Sequence, residues 1–176
     1  QVLHVFIVSE DVSLVPYKVR DQLIRRGSSY LSNLVYQETG SYIISNATFP
    51  SYFLKDKEAV IENHARLDIA VFLRIAHELG ISRRFVGDEP NSVVTGVYNR
   101  VMAQGLTKAG LECTIIPRLE INGTAISASR VRECLKRGDF ASVKRFVPQT
   151  TFDYFNSPQA EPVLENIRTC ENVTHY

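Results

Sequence analysis

Cysteine is scarce in this 176-residue chain, and the three present (Cys113, Cys134 and Cys170) form no C-x-x-C pair. An odd number at such wide spacing argues against a disulfide framework and against a zinc site, and fits a reducing cytosol. Net charge is nearly absent as well: 20 Lys and Arg stand against 19 Asp and Glu, leaving +1. Without a basic excess there is no electrostatic case for nucleic acid or for a membrane surface as partner. No apolar run approaches the ~20 residues that span a bilayer. Internal repeats and low-complexity segments are lacking too, and the three N-x-T sequons, at Asn46, Asn122 and Asn172, read as chance. What is present is ordinary: 44% apolar residues and 22% charged ones, in a length that suits one domain with a real core.

The apolar residues fall into runs and stripes. Residues 2–9 ("VLHVFIVS") form a β-branched run that reads as a buried strand, and opening on such a strand predicts chain upstream of it. Pro16 suits a first helical turn, with Val19, Leu23 and Ile24 on one face and Gly27 as a stop. "NLVYQ" at 33–37 and "YIIS" at 42–45 are strand candidates. From 57 to 79, Val60, Leu67, Val71, Ile75 and Leu79 keep helical spacing, which predicts these as the inward face and Asp68 and Arg74 as part of the polar one. "RRFVG" at 83–87 and "LECTIIP" at 111–117 read as further strands around a helix at 92–109 whose Val94, Val97 and Val101 face inward. Helices are expected at 128–137, 139–146 and 148–156, and residues 157–176 as a polar tail. Apolar strands alternating with helices predict an α/β fold, a doubly wound parallel sheet covered on both faces. Ligands of such sheets bind outside the carboxyl ends of the strands. Gly87-Asp88-Glu89-Pro90 and the loop from Arg118 to Ile126 sit at two such ends.

One stretch carries chemistry: "ISASRVRECLKRGDF", residues 126–140. A helix starting there places Arg130 and Arg132 near its positive end, where acidic residues are favoured. At 100° per residue Ser129, Arg132 and Lys136 share a polar face, Val131 and Leu135 share the buried one, and Arg130 points elsewhere. Hydroxyls from Ser127 and Ser129, free N–H groups of the first turn and a cation on one helix end suit a polyphosphate. A plain serine cap with solvated arginines accounts for the same spacing. If the arginines face an absent anion, replacing Arg132 by Ala should raise stability slightly while it weakens nucleotide use.

"ISASRVR" resembles the I-S-S/T-x-x-R/K signature of the nucleotidyltransferase superfamily. The blocks "LHVFIVSEDVSLVPYKVRDQLI", "YIISNATFPSYFLKD", "FVGDEPNSVVTGVYNR" and "IPRLEINGTAISASRVRECLKRGDF" resemble the citrate lyase ligase family, in order and across about residues 2–156. The resemblance implies a Rossmann-like nucleotidyltransferase fold over residues 1–156, in strand order 3-2-1-4-5. The superfamily's H-x-G-H element belongs to the first, central strand, upstream of the segment matched by residue 2, and does not occur in this sequence; His4, His64 and His77 do not replace it. Residues 2–9 and 83–87 are therefore expected to flank the place of that strand.

The implied activity uses ATP to convert acetate to acetyl-AMP and pyrophosphate. The acetyl group then passes to the thiol of the phosphoribosyl-dephospho-coenzyme A group on the citrate lyase acyl carrier subunit. Ser127, Ser129 and Arg132 carry over as triphosphate ligands, with Ser129 and Arg132 acting on the reacting phosphates. Gly87, Asp88, Glu89 and Pro90 carry over as a loop beside adenine and ribose, with Asn99 in reach of the nucleotide. Arg20, Thr48 and Tyr52 are candidates for the acyl substrates, Arg20 by likeness to related transferases and the others from an aromatic, Pro-containing loop. Magnesium is expected with ATP and no protein-held metal is called for. Two other readings stay open: a different adenylyl- or cytidylyltransferase with the same phosphate helix, and a non-catalytic fragment that docks the acyl carrier subunit.

Overall fold

The computed structural model describes residues 1–10, 13–50, 58–88 and 92–173. They form two compact units. The first is Gln1–Ile7, Asp11–Gln37 and Leu119–Tyr176; the second is Val8–Glu10 and Glu38–Arg118. Among the described residues no helix is long and apolar enough to cross a membrane.

The second unit is built on a parallel strand pair. Strand β3 (Arg83–Gly87) leads through helix α3 (Val93–Lys108) into β4 (Glu112–Ile116). The pair runs in register from Arg83 opposite Glu112 to Gly87 opposite Ile116. Ser92 caps α3 by accepting the Thr95 N–H. Helix α2 (Glu58–Glu78) packs along α3. Side chains alternate across a strand: Arg84 and Val86 of β3 are partly buried, whereas Arg83, Phe85 and Gly87 are exposed. The expected cover on both faces is thus met on one face of this pair among the described residues.

The phase of α2 differs from its apolar spacing. Ile61, Ala65, Asp68, Ile69, Phe72 and Ala76 are buried, while Val60, Leu67 and Leu79 are exposed. The buried stripe contains two alanines and a carboxylate, residues that a count of large apolar side chains passes over. Small residues also let α2 and α3 approach: a Cβ on Gly105 would meet Ile69 Cγ2 at 3.0 Å.

Asp68 organises this unit. Its Oδ1 accepts the Ile44 N–H at 2.6 Å and the Thr48 hydroxyl at 2.8 Å, and its Oδ2 accepts the Tyr98 hydroxyl at 2.8 Å. The Tyr98 oxygen in turn accepts Arg84 Nη2 at 3.1 Å, and the Arg84 guanidinium lies over the Phe72 ring. Burial pushes the Tyr98 phenol well above its usual range, so it stays a donor to the carboxylate. "YIIS" is accordingly not a strand. Ile44 takes φ 48, a left-handed conformation that is strained for a β-branched residue, and it delivers its N–H to Asp68 rather than to a ladder. Ile43, Ser45 and Phe49 are buried around this turn, and Phe49 stacks on Tyr98 with ring centroids 5.2 Å apart.

In the first unit β1 (Leu3–Ile7) pairs with β2 (Leu34–Glu38), with α1 (Tyr17–Gly27) between them in sequence. His4 Nδ1 meets Gln37 Nε2 at 3.2 Å, an ordinary contact between neighbouring strands. The chain from Leu119 makes a two-stranded hairpin, β5 (Glu120–Ile121) and β6 (Thr124–Ala125). Its turn is Asn122-Gly123, with φ 54 and 70, the paired positive values of a type I′ turn. Helices α4 (Ala128–Lys136) and α5 (Phe140–Phe146) meet at Gly138. Gly138, at φ 71, donates to the Leu135 carbonyl and Asp139 to the Cys134 carbonyl, the paired bonds of a Schellman stop. Asp139 then caps α5 through the Ser142 N–H. Helix α6 (Gln149–Phe155) packs on α1.

Residues 157–176, expected as a polar tail, hold a 3₁₀ turn (Pro158–Ala160) and α7 (Glu161–Thr169). Val163, Leu164 and Ile167 of α7 join Cys134, Leu135, Val143, Tyr154, Phe155 and Val173 in one core, so the last described residues belong to the fold of this unit.

Replacing Asp68 by Ala strands three donors, each costing about 1–3 kcal/mol when buried unpaired. The expected loss of unfolding free energy is therefore at least about 3 kcal/mol, read as a lower urea midpoint, with Asp68→Asn losing less because it keeps one acceptor oxygen. A loss below about 1 kcal/mol would mean that water reaches these donors.

Candidate active site

The hairpin returns the chain to α4 through Ile126, whose N–H bonds the Leu119 carbonyl. Ser127 is the N-cap, with extended backbone and a hydroxyl that accepts the Arg130 N–H at 3.2 Å. Ser127 and Ser129 share a hydrogen bond of 2.8 Å between their hydroxyls. Both hydroxyls thus sit together at the first turn, and the cap is real as well. The amides of Ala128 and Ser129 precede the first helical bond and have no partner among the described residues.

Arg132 is where the structure departs most from the spacing argument. It is only 9% exposed. Nε donates to the Val173 carbonyl at 2.7 Å, and this is its one hydrogen bond among the described residues. One turn on, Lys136 Nζ bonds the Cys170 carbonyl and lies 3.5 Å from that of Glu171. Residues 170–173 therefore lie against Arg132 and Lys136 on the polar face of α4, with Lys136 still exposed. Burial pulls the Arg132 guanidinium below its ordinary value, although such a group stays charged. Arg130 does point elsewhere, its guanidinium lying 5.4 Å from the centre of the Phe146 ring.

The strand-end candidates lie in the other unit. Asn99 is buried on α3, and its Nδ2 donates to the Gly87 carbonyl at 3.2 Å. The Asp88 N–H bonds the Ile116 carbonyl, and Arg118 Nε bonds the Asp88 carbonyl. Gly87, Asp88 and Asn99 are thus brought together at the carboxyl end of β3, with the Asp88 side chain exposed. Glu89 and Pro90 lie outside the described residues. Among the acyl-substrate candidates, Arg20, on α1, donates from Nε to the Val15 carbonyl just before the helix. Thr48 is 7% exposed and its hydroxyl is held by Asp68. Tyr52 lies outside the described residues. No group of three His, Cys, Asp or Glu among the described residues is placed to hold a metal ion.

Sequence reasoning passed over Asp68 and the cover over Arg132. The first had a signal: residue 68 falls in the i, i+4, i+7, i+8 series that starts at Ile61. The second had little, because backbone carbonyls carry no side-chain signature.

Residues 1–155 match the family model described as citrate lyase ligase C-terminal domain. The chain is 43% identical over 158 residues to the [citrate [pro-3S]-lyase] ligase of Haemophilus influenzae, covering 86% of this chain and 47% of that protein. It is 38% identical to the protein of the same name from Klebsiella pneumoniae, over 86% of this chain and 46% of that one. For the Escherichia coli protein of that name the identity is 36%, over 88% and 46%. The chain spans about half the length of the curated relatives it matches. No solved structure matches at a significant level.

The geometry reverses the stability expectation for Arg132. Its loss removes a charge-assisted bond worth about 1.5–3 kcal/mol, against at most about 1 kcal/mol gained at a helix N-terminus. Arg132→Ala should therefore lower the thermal midpoint, by several degrees. An unchanged or raised midpoint would show that the bond to Val173 contributes nothing.

Proposed function

The chain belongs to the citrate lyase ligase C-terminal domain family, and from that membership we propose that it is the nucleotide-handling part of an acetate-activating ligase. The match over residues 1–155 carries this reading. The reaction joins acetate to a carrier thiol in two steps. An acetate oxygen attacks the α-phosphorus of ATP, the bond to pyrophosphate breaks, and acetyl-AMP forms. The prosthetic-group thiolate of the citrate lyase acyl carrier subunit then attacks the acetyl carbon and AMP leaves. Negative charge grows on phosphoryl oxygens in the first step, so fixed donors and cations are the useful catalysts.

This chain's contribution is that donor set. The free amides of Ala128 and Ser129, the paired hydroxyls of Ser127 and Ser129, and the unbonded Nη groups of Arg132 suit the phosphate chain. Magnesium would travel on the nucleotide's own oxygens and supply charge neutralisation there. The Gly87–Asp88 strand end, held by Asn99, is the proposed site of nucleoside contacts. Thr48 has a smaller part in this reading than its sequence implied, since its hydroxyl already donates a hydrogen bond to Asp68. Arg20 stays a candidate for the acyl acceptor.

The proposed fold is the Rossmann-like nucleotidyltransferase sheet. Among the described residues β1 pairs with β2, and β3 pairs with β4 in parallel through the connecting helix α3, the β–α–β unit from which such a sheet is built.

The test uses the full-length protein with ATP and magnesium. Pyrophosphate release should depend on acetate, and the carrier's thiol should become acetylated. Release that depends on pantetheine phosphate instead, or carrier binding with no ATP binding, would replace this reading with another transferase or with a docking fragment.

A further inference from the structure

We propose that residues 170–173 form a strap that aims the Arg132 guanidinium at the nucleotide's phosphates, which makes this strap a positioning element of the site; the inference rests on the reading of α4 given above. A guanidinium has five N–H donors. Val173 takes one of them, on Nε, and leaves the four on the two Nη atoms without a partner among the described residues. With Nε fixed at one end, the plane and direction of the group are set, and the Nη pair is presented as a fork of the kind that binds phosphate in two places.

Arg132 is 9% exposed, and no carboxylate is hydrogen-bonded to it among the described residues, although the neighbouring Glu133 acts on its charge through space. A cation so placed is ordinarily paired directly. The neutral Val173 carbonyl orients it without pairing its charge, which leaves the Nη fork available to a bound anion. Ser129 lies three residues before Arg132 on α4, and residues so spaced share a helix face. An anion on that fork falls on the side where the Ser127 and Ser129 hydroxyls converge.

The strap is itself held at two points. The Val173 side chain is 5% exposed in the core of this unit, and Lys136 grips the strap one turn further along through the Cys170 carbonyl. A strap that merely covered the core would need only Val173. Two helix cations a turn apart, bonded to the carbonyls of Val173, Cys170 and Glu171, make it a bracket for the cationic face of α4.

A double-mutant cycle on the full-length protein tests this, with ATP binding measured by calorimetry. Val173→Asp unseats the strap; Val173→Ala loosens it and keeps the cycle usable if the aspartate variant folds poorly in a melting check. With Arg132 present, Val173→Asp should weaken ATP binding about tenfold and Val173→Ala about threefold. In an Arg132→Ala background neither change should matter further, because the group they aim is gone. Equal losses in both backgrounds would mean that the strap acts only on folding and would overturn the proposal. Tighter ATP binding in the Val173 variants would overturn it too, by showing that the strap blocks the site. If Arg132→Ala weakens ATP binding but the Val173 variants do not, the strap proposal alone fails. If Arg132→Ala leaves ATP binding unchanged, the phosphate reading of α4 fails and takes the strap with it.

Discussion

A carboxylate withdrawn from water must find its donors within the protein, and Asp68 meets that condition with three of them. The consequences reach every part of its unit. The turn at 43–49 closes because Ile44 and Thr48 are drawn to one oxygen, at the cost of a left-handed isoleucine. Helix α2 is set in phase with the carboxylate inward. Helix α3 is fixed beside it through Tyr98, and β3 through Arg84. Asn99 follows Tyr98 directly and holds the Gly87 carbonyl. A buried charge on one helix thus fixes the end of a strand where a parallel sheet presents its ligands.

The other unit faces the opposite electrostatic problem. Two arginines stand in the first half of a helix whose macrodipole disfavours them. Arg130 is accommodated over an aromatic face and Arg132 by a carbonyl from the end of the described chain. Neither contact is itself a counter-charge; Glu133 acts on Arg132 only through space. The two serine hydroxyls and two amides without a partner among the described residues stand at the same helix end.

Much of the fold could be read from the residues. Pro16 and Gly27, and Gly138 with Asp139, punctuate the chain where elements begin and end, because few other residues meet those backbone demands. The strands at 3–7, 83–87 and 112–116 follow from short β-branched runs. The failures have particular causes. In α2 large apolar residues lie on more than one side, and packing selected the stripe in which Ile61, Ile69 and Phe72 alternate with Ala65, Ala76 and Asp68. "YIIS" has the composition of a strand, but a tertiary hydrogen bond removed the amide that a ladder needs. Asn122-Gly123 is a strong hairpin signal that reading the segment as a loop passed over. At the candidate site Ser127, Ser129 and Arg132 were legible as a set. The burial of Arg132 was not, since it comes from backbone oxygens some forty residues away.

The central claim is that the first turn of α4 receives the phosphates of ATP. Hydrogen exchange of the full-length protein with and without ATP tests it most directly, because the amides of Ala128 and Ser129 have no partner among the described residues. The account predicts that ATP slows exchange at these two amides, at least about tenfold at saturation, as they become donors to phosphate oxygens. Unchanged exchange at Ala128 and Ser129, in a sample shown to be saturated with ATP, would contradict it.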